Sequence, residues 1–199
     1  MLFRSRTLAY VTSGWTFGGL LRYGSGTVIG IPAATNLLAS QIFQGTFFNR
    51  VAGQNPFSKD LNCDGCIDPN KDLVLNSAAW VNPDAGKFGV AAAAYTDYRS
   101  RRAPDEQLSI SRSFRVEEGK FFSVRAEFFN VFNRTVFPGP TSGTPATSTT
   151  CVLNSGATAS GAACGDPNTL RNLTAGHGFI NMNNSGQPRN GQIVGRFTF

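Results

Sequence analysis

The sequence predicts an all-β fold in which antiparallel strands are joined by loops. Phenylalanine supplies 17 of the 199 residues and glycine 22, whereas runs of the helix-forming residues Ala, Leu, Glu and Lys are absent. Apolar and polar residues alternate in about four segments, which lie near 13–31, 106–116, 120–132 and 190–199. Two long stretches without this period, 32–104 and 134–189, separate them and are expected to be loops.

The first predicted strand, near 13–31, is strongly amphipathic. Its odd positions are mostly apolar, and its even positions include threonine, arginine and glycine. Trp15 and Tyr23 lie on the same face, eight residues apart. At about 3.3 Å per residue and a tilt near 40°, this separation covers roughly 20 Å of height, close to the distance between the two aromatic girdles of a membrane barrel.

The segments 106–116 and 120–132 predict a hairpin with apolar even positions and polar odd positions. Facing residues must share parity, so we expect a three-residue loop, Glu117 to Gly119, and not a two-residue one. Gly119 would take the left-handed conformation. The expected pairs are Val116 with Lys120, Phe114 with Phe122, Ile110 with Ala126, Leu108 with Phe128, Ser111 with Arg125 and Ser109 with Glu127.

Arg112 disagrees with this pattern because it lies on the apolar face. An arginine at the middle of a bilayer would cost about 2 to 4 kcal/mol. A β-bulge, or lateral snorkelling of the side chain, would relieve that cost. The sequence leaves both explanations open.

The last predicted strand, near 190–199, ends on an aromatic residue. One set of alternate residues is apolar or small (Ile193, Gly195, Phe197 and Phe199), and the other includes Gln192, Arg196 and Thr198. This pattern is typical of a strand with lipid outside and a wet lumen inside, although a soluble antiparallel sheet also alternates.

The predicted order of elements is strand, long loop, strand, tight turn, strand, long loop, strand. Outer-membrane barrels have short periplasmic turns and long extracellular loops, whereas a compact soluble domain rarely contains so long a structureless stretch. We therefore predict strands of a transmembrane β-barrel with two long extracellular loops and one tight periplasmic turn. Arg125, Glu127 and Arg196 would then face the lumen.

The formal charge of +6 raises nucleic acid as a partner. The basic residues are dispersed, however, and only Arg99, Arg101 and Arg102 cluster. No nucleic-acid module signature accompanies them, so no nucleic-acid partner is expected. The start of the chain lacks the apolar core of a signal peptide, which suggests either a cytosolic protein or the tail of a longer chain.

The four cysteines form two local pairs, Cys63 with Cys66 and Cys151 with Cys164. Short disulfide closures are expected if the loops face an oxidising space. A four-thiolate zinc site is the alternative, and it is weakened because only the first pair has CxxC spacing.

The segment 60–68 has the spacing of a calcium loop, with Gly65 at its sharp turn. Lys71 occupies the twelfth position, where such loops have a bidentate acid. An Asp-rich surface turn is the simpler interpretation, and no other cofactor is expected. The candidate calcium ligands are Asp60, Asn62, Asp64 and Asp68.

No catalytic constellation is evident, and the sequence predicts no enzyme. His177 is the only histidine, and it lies in an aperiodic loop without a nucleophile motif. Arg125 and Glu127 are charged and alternate along one strand, which is ordinary for the lining of a wet barrel.

Two segments, 122–133 and 187–199, resemble the end of TonB-dependent receptors of the Oar-like class. Five further segments resemble that family and occur in the same order as in its members: Gly14-Trp15, 22–26, 75–80, 86–89 and 108–114.

The resemblance implies a 22-stranded barrel with an N-terminal plug, which moves a bulky ligand across the outer membrane of a Gram-negative-type bacterium. This chain would supply about the last four, C-terminal strands, and Phe197 and Phe199 would act as the assembly signal. Its partners would be outer-membrane lipid, the remainder of the barrel and plug, and the energy-transducing complex through the missing N-terminal part.

Such a fragment is not expected to transport alone, because unpaired backbone groups at open sheet edges cost several kcal/mol each in hydrocarbon. The alternative function is a soluble secreted β-rich adhesive or binding domain. A basic nucleic-acid binder is a weaker third alternative.

Overall fold

The computed structural model describes residues 11–36, 46–184 and 186–199. The chain divides into two compact units. The strand unit lies within Met1–Gly24, Ala103–Thr135 and Gln187–Phe199. The loop unit lies within Ser25–Arg102 and Val136–Gly186. The long connections between the predicted strands therefore form a unit of their own.

The strand unit contains a four-stranded antiparallel sheet. Its strands are β1 (Trp15–Arg22), β4 (Asp105–Glu117), β5 (Lys120–Phe129) and β9 (Asn190–Thr198). They lie side by side in the order β1–β4–β5–β9, and each neighbouring pair is antiparallel. The all-β, antiparallel prediction is confirmed, and the sheet is not closed into a barrel.

The turn between β4 and β5 differs from the prediction. Lys120 pairs with Glu117 instead of Val116, so the loop has two residues, Glu118–Gly119. The register shifts at Val116, an extra residue that forms a β-bulge and restores the parity of the facing residues. The prediction that excluded a two-residue loop was wrong. Parity of the facing residues excludes such a loop only when neither strand contains a bulge. Gly119 is left-handed as expected, with a φ of 77°.

Beyond the bulge, the hairpin register is the predicted one. Five of the expected pairs are present: Phe114 with Phe122, Ile110 with Ala126, Leu108 with Phe128, Ser111 with Arg125 and Ser109 with Glu127. The alternation of apolar and polar residues was therefore sufficient to align β4 with β5.

Two predicted strands end earlier than expected. The strand near 13–31 stops at Arg22, and the segment after it turns at Gly26, which has a φ of 84°. A Cβ there would clash with the backbone carbonyl of Ser100, so glycine is required. The strand near 120–132 stops at Phe129, because Asn130 is left-handed with a φ of 50°.

The loop unit contains short strands that the sequence did not reveal. The strands β2 (Asn49–Arg50) and β3 (Trp80–Val81) pair, and β6 (Thr150–Leu153) lies between β7 (Thr158–Ser160) and β8 (Leu170–Ala175). Three 3-10 helices accompany them: Ser77–Ala79, Gly161–Gly165 and Met182–Asn184. The predicted loops 32–104 and 134–189 thus contain secondary structure that the sequence did not reveal, because strands this short show no readable period.

The loop unit has its own hydrophobic core. Val74, Ala79 and Tyr98 are completely buried, and the ring of Tyr98 lies 5.3 Å from that of Trp80. A second cluster surrounds the disulfide between Cys151 and Cys164. Within the described part of the chain, no helix is both long and apolar enough to cross a membrane.

Candidate functional site

One face of the four-stranded sheet is apolar across all four strands. Phe17 and Ile193, at opposite edges, are 76% and 79% exposed. An apolar surface of this kind is unfavourable in water and favourable against lipid. The register brings together Trp15, Phe17, Gly19 and Leu21 of β1, Leu108, Ile110, Arg112 and Phe114 of β4, Phe122, Val124, Ala126 and Phe128 of β5, and Gly191, Ile193, Gly195 and Phe197 of β9.

Three of the four strands are long enough to cross a bilayer, and β1 is one residue short of the usual length. They contain 8, 13, 10 and 9 residues, and a tilted transmembrane strand needs about 9 to 11. Trp15 begins β1 and Tyr23 follows its last residue, so these two exposed aromatic side chains lie at opposite ends of the apolar face. This is the placement that the sequence predicted for the two girdles.

Arg112 lies on the apolar face, directly between Trp15 and Val124 of the neighbouring strands. Its guanidinium carbon is 5.3 Å from the centre of the Trp15 ring and 4.8 Å from that of Phe114. No bulge occurs at this position, since the register there is regular. The side chain instead lies along the face against two aromatic rings, which partly offset the cost of its charge.

The opposite face of the sheet is mainly polar, although Leu20, Phe121 and Val194 also lie on it, and it holds the three residues predicted to line a lumen. Arg125 and Glu127 form an ion pair of 2.6 Å along β5. The amide of Gln192, which faces Glu127 on β9, donates to the same carboxylate. Arg196 lies opposite Ser123, whose hydroxyl donates to the Arg196 carbonyl at 3.4 Å. The structure thus places all three residues on one face.

The sheet has two open edges, β1 and β9. Each edge strand pairs with only one neighbour among the described residues, so half of its backbone groups point away from the sheet. In hydrocarbon such groups must be paired. The two-faced sheet therefore needs further strands on both sides before it can cross a membrane.

A buried carboxylate lies at the loop end of the sheet, the end where β1 and β5 finish and β4 and β9 begin. The side chain of Glu106, near the start of β4, is completely buried. Its Oε1 accepts a hydrogen bond of 3.0 Å from the Tyr23 hydroxyl and one of 3.1 Å from Nε of Arg134. This contact ties the segment after β1 and the segment after β5 to β4.

Two asparagines extend this network towards β9. The side chain of Asn130 accepts from the backbone N–H of Arg134 at 2.8 Å and donates to the Gln187 carbonyl at 3.1 Å. Asn133 accepts from the backbone N–H of Arg189 at 3.3 Å. All four strands are thereby connected at the loop end. Sequence reasoning missed Glu106, although the asparagines lie within the segment 122–133 that it singled out.

The terminal aromatic residues are placed differently. Phe197 lies on the apolar face opposite Phe122, whereas Phe199 follows β9 and is 93% exposed. Their rings are 6.2 Å apart. Both are accessible, as an assembly signal requires, and that role stays a prediction.

The cysteines are joined as two local disulfides, Cys63–Cys66 and Cys151–Cys164. Among the described residues, no group of three or more His, Cys, Asp or Glu side chains is arranged to hold a metal ion. The thiols of the alternative zinc site are consumed in these disulfides.

The four candidate calcium ligands make separate hydrogen bonds instead of converging on one point. Oxygens of Asp60 and Asp68 accept from backbone N–H groups two residues further on, at 2.9 and 3.0 Å. Asn62 accepts from the backbone N–H of Arg102 at 3.1 Å. Asp64 forms an ion pair with the guanidinium of Arg101. Calcium binding in this loop stays a prediction that the geometry does not favour.

His177 is buried in the loop unit, and its Nδ1 lies 2.7 Å from the carbonyl oxygen of Gly143. Burial lowers the pKa of His177 below its ordinary value. Its Nε2 is buried and has no hydrogen-bond partner among the described residues.

A sheet that is apolar on one face, polar on the other and long enough to cross a bilayer defines a class of protein, the membrane-spanning β-barrels. A family model described as "Outer membrane beta barrel domain" matches residues 1–188. The chain belongs to this family, and it is located in the outer membrane. Searches of the curated proteins and of the solved structures found no match.

Proposed function

We propose that this chain is the C-terminal barrel segment of a TonB-dependent outer-membrane receptor of the Oar-like class, which takes up or transfers a bulky ligand. The two-faced sheet carries the proposal, because its register puts lipid-compatible side chains on one side of four strands and polar ones on the other. The two segments with the strongest resemblance, 122–133 and 187–199, contain the neighbouring strands β5 and β9.

The open edges support a role as part of a larger barrel. β1 and β9 each lack a second partner within the described sheet, and a barrel is the arrangement that removes such edges in hydrocarbon. We infer that the segment transports nothing alone and acts together with further strands and a plug. Ligand contacts would then be shared between this segment and those parts.

Membrane fractionation of cells that express the full-length parent protein tests the first part of this proposal. We expect the parent in the outer-membrane fraction, released only by detergent, and with a heat-dependent shift in gel migration, as closed barrels show. Recovery in the soluble fraction without detergent would contradict the membrane role and favour the soluble binding domain.

The DNA upstream of the Met1 codon tests the finer assignment. We expect an in-frame continuation that encodes a plug and further strands. A promoter and a signal peptide for a separate short product would contradict the receptor assignment while leaving the membrane sheet intact.

A further inference from the structure

A polar cleft of about 330 Å³ lies in the loop unit. It is formed where the segment Asn55–Asn62 meets the segment Asp97–Ser100. The residues that decide its chemistry are Asn55, Lys59, Asp60, Asn62, Asp97 and Arg99. The donors and acceptors among them are not equally available to a ligand.

The amide oxygens of the cleft are already used. Oδ1 of Asn55 accepts from the backbone N–H of Phe57 at 3.0 Å, and Oδ1 of Asn62 accepts from that of Arg102 at 3.1 Å. The amide nitrogens of these two asparagines, unlike the oxygens, remain available. Asn55 and Asn62 make no donor contact from their side-chain nitrogens within the described residues. Both side chains thus present donors.

The carboxylates are largely used as well. Both oxygens of Asp97 accept from the guanidinium of Arg50, at 2.9 and 2.5 Å, and this contact lowers the pKa of Asp97. One oxygen of Asp60 accepts from the backbone N–H of Asn62 at 2.9 Å. Since most acceptors are satisfied internally, a ligand would find few groups to which it can donate.

The cations, in contrast, keep free donors. Arg99 donates from Nε to the Thr96 carbonyl at 3.2 Å and from Nη1 to the Gly26 carbonyl at 3.0 Å, and it has no carboxylate partner in the described residues. These bonds hold the guanidinium in place and leave Nη2 available. Lys59 lies 3.6 Å from Asp72, too far for a strong hydrogen bond. An arginine held by two carbonyl groups and a weakly paired lysine therefore share one cleft.

We propose that this cleft binds an oxyanion, a carboxylate or phosphate group carried by the ligand of the receptor. An oxyanion accepts several hydrogen bonds and gains most from charged donors, and Arg99, Lys59 and the two asparagine amides supply both kinds. The inference deepens the proposed function and rests on it, because it assigns a ligand class to the loops of the receptor.

Calorimetric titration of the full chain in detergent micelles tests the proposal, with inorganic phosphate and citrate as separate probes. We expect at least one probe to give saturable heat, and the stronger probe distinguishes phosphate from carboxylate recognition. Lys59→Gln should weaken binding about tenfold or more, because the charge-assisted hydrogen bond from the ammonium group to the oxyanion is lost. Arg99→Gln should do the same.

Lys87→Gln is the matched control. Lys87 also belongs to the loop unit and pairs with an aspartate, Asp84 at 3.0 Å, but it does not line the cleft. Its replacement should leave binding unchanged. Among the described residues the Lys59 ammonium group pairs only with Asp72 and not with the backbone, so Lys59→Gln keeps the test valid if Arg99→Gln fails to fold.

Three results with the oxyanion probes would overturn the proposal. They are no heat with either probe, equal affinity in the Lys59→Gln variant, and equal weakening by Lys87→Gln. Saturable heat with calcium that disappears in Asp60→Asn would also overturn it, in favour of a cation loop. A soluble fractionation result would refute the membrane role without changing any of these titrations, so the two failures are distinguishable.

Discussion

Glu106 is the residue whose environment is most unusual in the strand unit. Its carboxylate is completely buried, Oε1 has two donors, and Oε2 has no hydrogen-bond partner within the described residues. A buried charge is tolerated only when it is paired, and here Arg134 supplies the opposite charge at 3.1 Å. Glu106 thus acts as an anchor for the ends of three segments.

Replacing Glu106 by glutamine should therefore destabilise the strand unit. The variant keeps the shape of the side chain but loses the charge that Arg134 faces, and we expect a loss of about 1 to 3 kcal/mol in the free energy of unfolding. Urea unfolding in micelles measures it. Glu118→Gln, at the exposed turn, is the control, and equal stability of both variants would contradict the anchoring role.

His177 predicts a pH dependence for the loop unit. Because burial lowers the pKa of His177, the unfolded chain takes up a proton first as the pH falls below about 6.5. Stability from this residue is thus intact above that pH and is lost progressively until the pH has fallen through the folded-state value.

The effect is measured by comparing urea midpoints at pH 8 and pH 5 for the wild type and His177→Asn. We expect the wild type to lose more stability on acidification than the variant, which has no imidazole to titrate. Equal losses would show that His177 does not titrate differently in the folded state.

At the scale of the element, β4 presents adjacent residues to opposite environments. Ile110 lies on the apolar face and Ser111 on the polar face. An arginine in place of Ile110 should cost about 2 to 4 kcal/mol in a bilayer, whereas one in place of Ser111 should cost little. Urea titration of the protein in lipid vesicles measures both. Equal costs would contradict the assignment of the faces.

The sequence predicted the strand pairing because residue alternation is a local signal. Ile110 and Ala126 could be aligned from parity alone, and the structure confirms that pair. The bulge at Val116 was missed because an inserted residue leaves no mark on the composition. The contact between Glu106 and Tyr23 was missed because 83 residues separate them and no periodic pattern connects the two.

At the scale of the element, the segment that lines the candidate cleft also shows what the sequence could not predict. Asp60 and Asn62 suggested a calcium loop, since their spacing is that of oxygen ligands. Whether an oxygen is available depends on its partners, and the backbone N–H of Arg102, 40 residues away, occupies the amide oxygen of Asn62. Spacing along the chain identified the right segment but could not reveal its chemistry.

At the scale of the whole molecule, the β-barrel class and the outer membrane were predictable, and the internal structure of the loops was not. Trp15 and Tyr23 marked the apolar face from sequence alone, because exposed aromatics at a fixed separation are characteristic of membrane interfaces. Trp80 and Tyr98 gave no comparable signal, since their core forms from strands of two residues and from contacts between distant segments.

The order of strands in the sheet has a consequence for how fast the protein acquires its structure. β4 and β5 are neighbours in the chain, whereas Ser109 reaches Gly18 of β1 across 91 residues and Gln192 reaches Glu127 across 65. Contacts between distant residues form slowly because long segments must close first. The central hairpin can therefore serve as a template onto which β9 and then β1 are added, and compaction of the intervening loops would shorten both searches.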